Sequence, residues 1–154
     1  MTPQRQLAQF MAKYMPAIAA EGRVALTTLR RFVPGAHEMV YDNYNGLAIG
    51  FSPSERPSEA VVSLLFTPRW LTLCFLQNGP QLPDPERLLR GSGNVVRHIR
   101  LIDGVDLNQS RVRALIKEAL ARADVPFNRR NRSKLVIRSV SAKQRPRRPA
   151  PSKK

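Results

Sequence analysis

Apolar side chains recur at helical spacing along the first third of the chain, which predicts two helices. Thr2 can cap the first helix, and Pro16 starts the second because the missing N–H of proline costs nothing in a first turn. Pro34-Gly35 ends the second helix. The predicted buried positions are Leu7, Phe10, Met11 and Tyr14 in the first helix and Ile18, Ala25, Leu26, Leu29, Phe32 and Val33 in the second.

The middle of the chain changes to a two-residue alternation, which predicts strands. In "HEMVYDN" this alternation puts Glu38, Val40 and Asp42 on one face and the residues between them on the other. Asn45-Gly46 tolerates positive φ and predicts a tight hairpin turn before the next strand, "LAIGF". The segments "AVVSLLF", "WLTLCFL" and "VVRHIRL" complete a predicted antiparallel meander of about five strands.

A third helix is predicted over an apolar stripe that begins at Val112, with Asp106 as its cap. The order of helices, strands and helix predicts an α+β fold, in which N- and C-terminal helices pack on one face of the sheet. The other face can remain open to solvent or to a partner. "KLVIRSV", residues 134–140, is short and β-prone, and it can be an edge strand or an arm.

The chain of 154 residues carries a net charge of +15 that is unevenly distributed. Residues 1–125 contain 15 Lys and Arg against all 11 acidic residues, a net of +4, whereas residues 126–154 contain 11 Lys and Arg and no acid. We therefore predict a domain over 1–125, a basic linker with a possible extra strand over 126–140, and a disordered polybasic tail over 141–154. The residues predicted to contact nucleic acid or another polyanion are Arg129, Arg130, Arg132, Lys143, Arg145, Arg147, Arg148, Lys153 and Lys154.

Cysteine content and apolar runs indicate the compartment. The single cysteine, Cys74, lies in the apolar run "WLTLCFL" and has no second cysteine for an intrachain disulfide. The N-terminal stretch lacks the apolar segment of a signal peptide. The longest apolar stretch, Ala60 to Leu76, is broken by "TPR" and is too short for a bilayer, which needs about 20 apolar residues. A cytoplasmic protein without a membrane partner is expected.

The segment "NGPQLPDPERLLRGSGNVVRHIR", Asn78 to Arg100, has the glycines of a phosphate loop but not their spacing. A Walker loop needs a glycine, four residues and Gly-Lys-Ser/Thr between a strand and a helix, and the dinucleotide fingerprint needs a third glycine where Val96 lies. The segment instead predicts a short helical turn, capped by Asp84 and closed by Gly91, that leads into a strand.

Two groups of residues are candidates for chemistry. Arg97, His98 and Arg100 share a strand and form a candidate binding surface, with His98 as a general base on an anionic substrate as the alternative. No nucleophile motif accompanies this histidine, so an enzyme is not predicted. Glu38 and Asp42 share a strand face and can bind a hard cation weakly, whereas cysteine and histidine at zinc spacing are lacking.

The residues Asn78-Gly79, Leu82-Pro83-Asp84-Pro85, Leu88-Leu89, Gly91-Ser92-Gly93 and Arg97-His98 also carry a family resemblance. Together with "FMAKYMPAIAAEGRVALTTLRRFVPGAHEMVYDNYNGLAIGF" and "VRALIKEALARA", they resemble the YdhG-like domain family over about residues 5–125. This family consists mostly of uncharacterised bacterial proteins. The resemblance implies a frataxin-like sandwich of helices on one sheet face, and some members are regarded as iron chaperones for iron–sulfur or haem assembly.

The resemblance implies iron as a possible ligand, although no cofactor is predicted from the residues themselves. A hard cation prefers clustered carboxylates, and Glu38 and Asp42 are the nearest candidates in a domain of net positive charge. The favoured hypothesis is a non-enzymatic binding or chaperone-like module that acts on a protein partner. The alternative is a nucleic-acid-associated protein that binds phosphates through its basic C-terminal tail.

Overall fold

The computed structural model of the chain describes residues 1–102 and 105–151. These residues form an α+β fold with three helices and one six-stranded sheet. The helices are α1 (Pro3–Ala12), α2 (Pro16–Phe32) and α3 (Ser110–Ala121). The strands are β1 (His37–Asp42), β2 (Leu47–Ser52), β3 (Val62–Phe66), β4 (Leu71–Phe75), β5 (Arg97–Arg100) and β6 (Leu135–Val140).

The sheet has the strand order β5-β4-β3-β2-β1-β6. Strands β1 to β5 form the predicted antiparallel meander, whereas β6 pairs with β1 in parallel. The prediction of about five antiparallel strands is therefore confirmed for β1 to β5. Of the two possibilities for residues 134–140, the edge strand is observed as β6, and its parallel pairing makes the six-stranded sheet mixed. A strand that joins a sheet in parallel needs a long crossover connection. Here the connection runs from β5 at one edge of the sheet to β6 at the other edge, and it contains α3.

The helices pack on one face of the sheet and form the hydrophobic core with it. The core joins helix residues such as Leu29 and Leu115 to Val40, Ile49 and Leu73 of the strands. Gly22 of α2 makes the close approach of helix and sheet possible, because a Cβ atom at this position would collide with the ring of Phe66. The same ring lies 5.5 Å, centroid to centroid, from the buried ring of Tyr14.

Two local predictions differ from the structure. Helix α3 follows Gln109 rather than Asp106, whose carboxylate instead accepts a hydrogen bond from the backbone N–H of Asn108 at 2.7 Å. The segment after Asp84 is a turn and not a helix, since Arg87 takes a left-handed conformation with φ of 53°. No helix in the described ranges combines the length and the apolar character needed to cross a bilayer.

Candidate nucleic-acid interface

The basic C-terminal segment lies against the folded body from β6 to Arg148. After β6, the N–H of Ser141 donates to the carbonyl of Asp42 at 2.9 Å, and the N–H of Arg145 donates to the carbonyl of Tyr44 at 2.9 Å. The Gln144 side chain also donates to the carbonyl of Asp42, at 3.0 Å. The predicted disorder of residues 141–154 is therefore not confirmed. The turn between β1 and β2 gives this polar segment hydrogen-bond partners in place of apolar packing.

Arg147 anchors the segment through a buried ion pair with Asp42. Its Nη2 atom lies 3.0 Å from Asp42 Oδ1, and the two side chains are 5% and 0% exposed. The Nζ atom of Lys13 lies 2.9 Å from the other carboxylate oxygen. Arg147 also donates to the carbonyls of Asn43 and Tyr44. Since buried charges are stable only when they are paired and hydrogen-bonded, this contact fixes the segment in place.

Two further arginines of this segment contact the body. The guanidinium of Arg145 lies 5.3 Å from the centroid of the Tyr44 ring, within the range of a cation–π interaction. The Nε atom of Arg148 donates to the carbonyl of Lys13 at 3.2 Å. Lys143 is exposed and remains available to a polyanion, whereas Lys153 and Lys154 lie outside the described residues.

A second basic element is the basic loop, which we define as residues 128–134. The carbonyl of Asn128 packs against Gly35, which has a φ of +81° and leaves no room for a Cβ atom. The backbone N–H of Lys134 donates to His37 Nδ1 at 3.1 Å, and the side-chain amide of Asn131 lies 3.0 Å from His37 Nε2. These contacts hold the loop at the end of α2 and the start of β1.

The basic loop presents free positive charge from this fixed position. Arg129, Arg130 and Arg132 are exposed and form no ion pair with any residue that the structure describes. Lys134 lies 3.5 Å from Glu55, and both side chains are more than half exposed. The three arginines thus extend into solvent from a loop whose backbone is anchored at Gly35 and His37.

The predicted metal ligands are engaged by cationic side chains. Glu38 accepts two hydrogen bonds from the Arg30 guanidinium, at 2.8 and 2.9 Å, in a bidentate pair. Asp42 is paired with Lys13 and Arg147. Within the described ranges, no three Cys, His, Asp or Glu side chains come together as a metal site. A divalent cation at Glu38 or Asp42 would have to displace these cationic partners.

Two residues of the candidate surface on β5, Arg97 and Arg100, are engaged in contacts within the fold. Arg97 donates to the carbonyls of Gly91 and Gly93 at 3.0 and 2.8 Å, so its guanidinium holds the preceding loop. The guanidinium of Arg100 lies 4.7 Å from the centroid of the Trp70 ring. The three predicted residues therefore do not converge on a common point, although Arg100 remains half-exposed.

His98 has the environment of a neutral strand residue. It exchanges two backbone hydrogen bonds with Arg90, at 2.8 and 3.0 Å. Burial, followed by the positive charges of Arg100 and Arg90, lowers the pKa of His98 below its usual range. Its cross-strand neighbour is Cys74, and burial raises the pKa of that thiol. The cysteine stays protonated near neutral pH, which makes it a poor nucleophile.

Two grooves in the described structure lie on the helix side of the molecule, and His98 lines neither of them. One, of about 440 Å³, lies between α2 and the residues around Leu107. The other, of about 420 Å³, lies between α2 and α3, where Arg113 packs over the Phe32 ring at 4.9 Å. Neither groove is lined by the predicted site residues.

Sequence reasoning missed the arginine–aromatic pairs, above all Arg100 with Trp70. The two-residue alternation could have placed Trp70 on the same face as Thr72 and Cys74, but no sequence pattern reports which arginine covers it. The pairs leave basic and aromatic groups side by side on the surface, which is a combination found where proteins bind single-stranded nucleic acids. In comparisons with protein-family models, curated proteins and solved structures, nothing matches this chain.

Proposed function

We propose that this protein is a non-enzymatic binding protein whose ligand is nucleic acid. The observation that supports the proposal most directly is the basic loop. Arg129, Arg130 and Arg132 are exposed, lack ion-pair partners in the described structure, and lie in a loop that His37 and Gly35 hold in place. Exposed guanidinium groups without local counter-charges are well suited to phosphate contacts.

The distribution of charge supports the same function. Residues 126–154 contain 11 Lys and Arg and no acidic residue. A segment of this charge would attract a polyanion even as a flexible tail. Here the ion pair between Arg147 and Asp42 keeps the basic side chains of the segment close to β6, the strand that follows the basic loop. The proposed binding surface is therefore part of the domain. The sequence alone suggests binding through a flexible C-terminal tail instead.

The role suggested by the family resemblance receives less support. The YdhG-like assignment and its frataxin-like arrangement remain predictions, as does a protein partner. An iron-chaperone role would need free clustered carboxylates, and Glu38 and Asp42 are both paired with cationic side chains. A catalytic role for His98 would need a convergent site, which the contacts around Arg97 and Arg100 do not provide.

The proposal is tested by measuring fluorescence anisotropy of labelled RNA and DNA oligonucleotides with the full chain at several salt concentrations. We expect binding that weakens steeply with salt. Replacing Arg129, Arg130 and Arg132 by Gln should reduce the slope of log K against log salt by about 2, because each lost phosphate contact contributes about 0.7 for a single strand.

A matched control removes the same charge elsewhere. Arg5, Arg23 and Arg69 are exposed and belong to none of the ion pairs found in the described structure. Their replacement by Gln should change the slope less than the change in the basic loop does. Absence of salt-dependent binding to every oligonucleotide would refute the proposed function, and equal losses for both triple variants would refute its location.

A further inference from the structure

We propose that the sheet face opposite the helices binds single-stranded RNA, with bases stacked on Tyr41 and Trp70 and phosphates held by Arg100 and the basic loop. This inference rests on the proposed function and specifies its ligand and its surface. The side chains on this face form two rows of residues that are partners across neighbouring strands. The inference is based on the position, the exposure and the charge of these rows.

The register of the strands defines the first row. Tyr41, Ala48, Leu65, Thr72 and Arg100 are successive Cα partners across β1, β2, β3, β4 and β5. Neighbouring strands are about 4.8 Å apart, so the row extends over roughly 19 Å. It has an aromatic residue at one end and, at the other, the Arg100 guanidinium stacked on Trp70. Ala48, Leu65 and Thr72, which carry no charge, lie between these two ends.

The second row lies two residues away from the first along each strand, and it is partly covered. Met39, Gly50, Ser63, Cys74 and His98 are successive partners in the same five strands. The loop before β3 lies over this part of the face. Met39 is only 1% exposed, and the Cβ of Ala60 is 3.7 Å from the position of a Cβ on Gly50. The available platform is therefore the first row.

Exposure agrees with this division of the face. Tyr41, Ala48, Leu65, Trp70 and Arg100 are all half-buried, so their outer surfaces face solvent. No helix in the described part of the chain covers them, because the helix residues join the core on the opposite side. An exposed aromatic ring at the end of a flat row offers a π surface on which an unpaired base can stack.

Charge complementarity identifies the occupant as an anion. Neither row contains an acidic residue, since Glu38 and Asp42 alternate onto the helix side of β1. Arg100 and the exposed Arg90 lie at the β5 edge, and Arg138 is exposed on β6 at the other edge. The basic loop precedes β6 and lies beside His37, at the end of β1 away from Tyr41, so only a strand that continues along β6 beyond the row reaches it. A strand that crosses the face thus meets positive charge on both sides of a neutral, partly aromatic centre.

The shape of the face favours single strands over duplexes. Base stacking on Tyr41 and Trp70 needs unpaired bases, which a duplex does not expose. The half-buried Tyr41, with its hydroxyl group, lies on the platform side of the sheet, whereas Thr72 on the same side is buried. A hydroxyl group can exchange hydrogen bonds with the 2′-hydroxyl, which RNA has and DNA lacks. These features assign the platform to RNA.

The experiment uses Trp70, which is the only tryptophan in the chain. The full chain is titrated with a 15-nucleotide oligouridylate while tryptophan fluorescence is recorded. We expect saturable quenching, and Tyr41→Ala should weaken the affinity about tenfold, as expected for the loss of one stacked base. Arg100→Gln should also weaken it. Val24→Ala is the control, because this side chain is exposed on α2, on the helix side of the sheet, and the affinity of the variant should stay within about twofold of the wild-type value.

The outcomes separate this inference from the proposed function. Salt-dependent binding without quenching of Trp70, or with no effect of Tyr41→Ala in a variant that melts normally, would leave the proposed function intact and overturn the platform. Equal affinity for the oligodeoxyuridylate of the same length would overturn the assignment to RNA. Stronger binding of a duplex than of the single strand would also overturn it. No binding of any oligonucleotide would refute both proposals.

Discussion

The carboxylate of Asp42 at the end of β1 lies 3.0 Å from the guanidinium of Arg147, which is 105 residues later in the chain. Both side chains are buried, and Lys13 at the end of α1 completes the cluster at 2.9 Å. Among the residues that the structure describes, the Nε atom of Arg147 finds no hydrogen-bond partner. The contact therefore stabilises the fold only as long as both charges are present, because a lone buried charge is strongly unfavourable.

Replacing Asp42 by Asn should lower the free energy of unfolding by about 3–5 kcal/mol, since it leaves the buried Arg147 without its counter-charge. Urea denaturation followed by circular dichroism measures the change. The control is Glu118→Gln, which removes the exposed pair with Arg122 and should cost less than about 1 kcal/mol. Similar losses for the two variants would show that the Asp42 cluster has no special role.

Two truncations test the anchoring of the C-terminal segment. A chain that ends after Val140 loses Arg147 and should be destabilised to about the same extent as Asp42→Asn, because Asp42 is then buried beside Lys13 alone. A chain that ends after Arg148 keeps every contact described above and should unfold within about 0.5 kcal/mol of the full chain. Equal denaturation midpoints for both truncations would indicate that residues 141–148 do not pack on the body in solution.

The buried phenol of Tyr14 predicts a loss of stability at alkaline pH. Burial raises its pKa from 10.0 to about 12, with Arg147 opposing the shift. The unfolded chain ionises this tyrosine near pH 10 and the folded chain only near pH 12, so the folded state is favoured below pH 10 and loses this advantage as the pH rises towards 12. Urea midpoints at pH 9 and pH 11 should therefore differ more for the wild type than for Tyr14→Phe. A pH dependence that this substitution leaves unchanged would contradict the assignment.

Gly35→Ala should destabilise the protein by more than about 1 kcal/mol, because alanine is strained at a φ of +81° and its Cβ would take the place of the Asn128 carbonyl. The variant should also weaken oligonucleotide binding, since Asn128 begins the basic loop. Gly50→Ala is a suitable control for stability, as its Cβ would meet only ordinary contacts at 3.7 Å. Thermal melts and anisotropy titrations of both variants provide the comparison.

The helices and the antiparallel part of the sheet could be predicted from the sequence because their causes are local. Periodic apolar residues define α1 and α2, and the alternation around Val40 defines β1. The β propensity of "KLVIRSV" indicated a strand, but a strand's own residues do not identify its neighbour. The parallel pairing of β6 with β1 depends on the path of the whole intervening chain, and this is why the mixed sheet was not predicted.

The candidate site could be predicted only in part. Charge counting located the basic region correctly, and Arg129, Arg130 and Arg132 are exposed as expected. Composition alone suggested disorder for residues 141–154, because no large apolar side chain is present there. The order of Arg147 depends on a carboxylate that is remote in sequence. Likewise, the same two acids that suggested a cation site are neutralised by partners from other elements.

The pairing of β6 with β1 also affects how the chain is made. About 100 residues separate Glu38 from its partner Leu135, and ribosomes add roughly 5–20 residues per second. For roughly 5–20 s, the nascent chain therefore exposes one edge of β1, and Asp42 has Lys13 but not Arg147 as a counter-charge. An exposed strand edge is a site of misassembly. The sheet can be completed only when the basic segment has emerged, because β6 follows the other five strands in the chain.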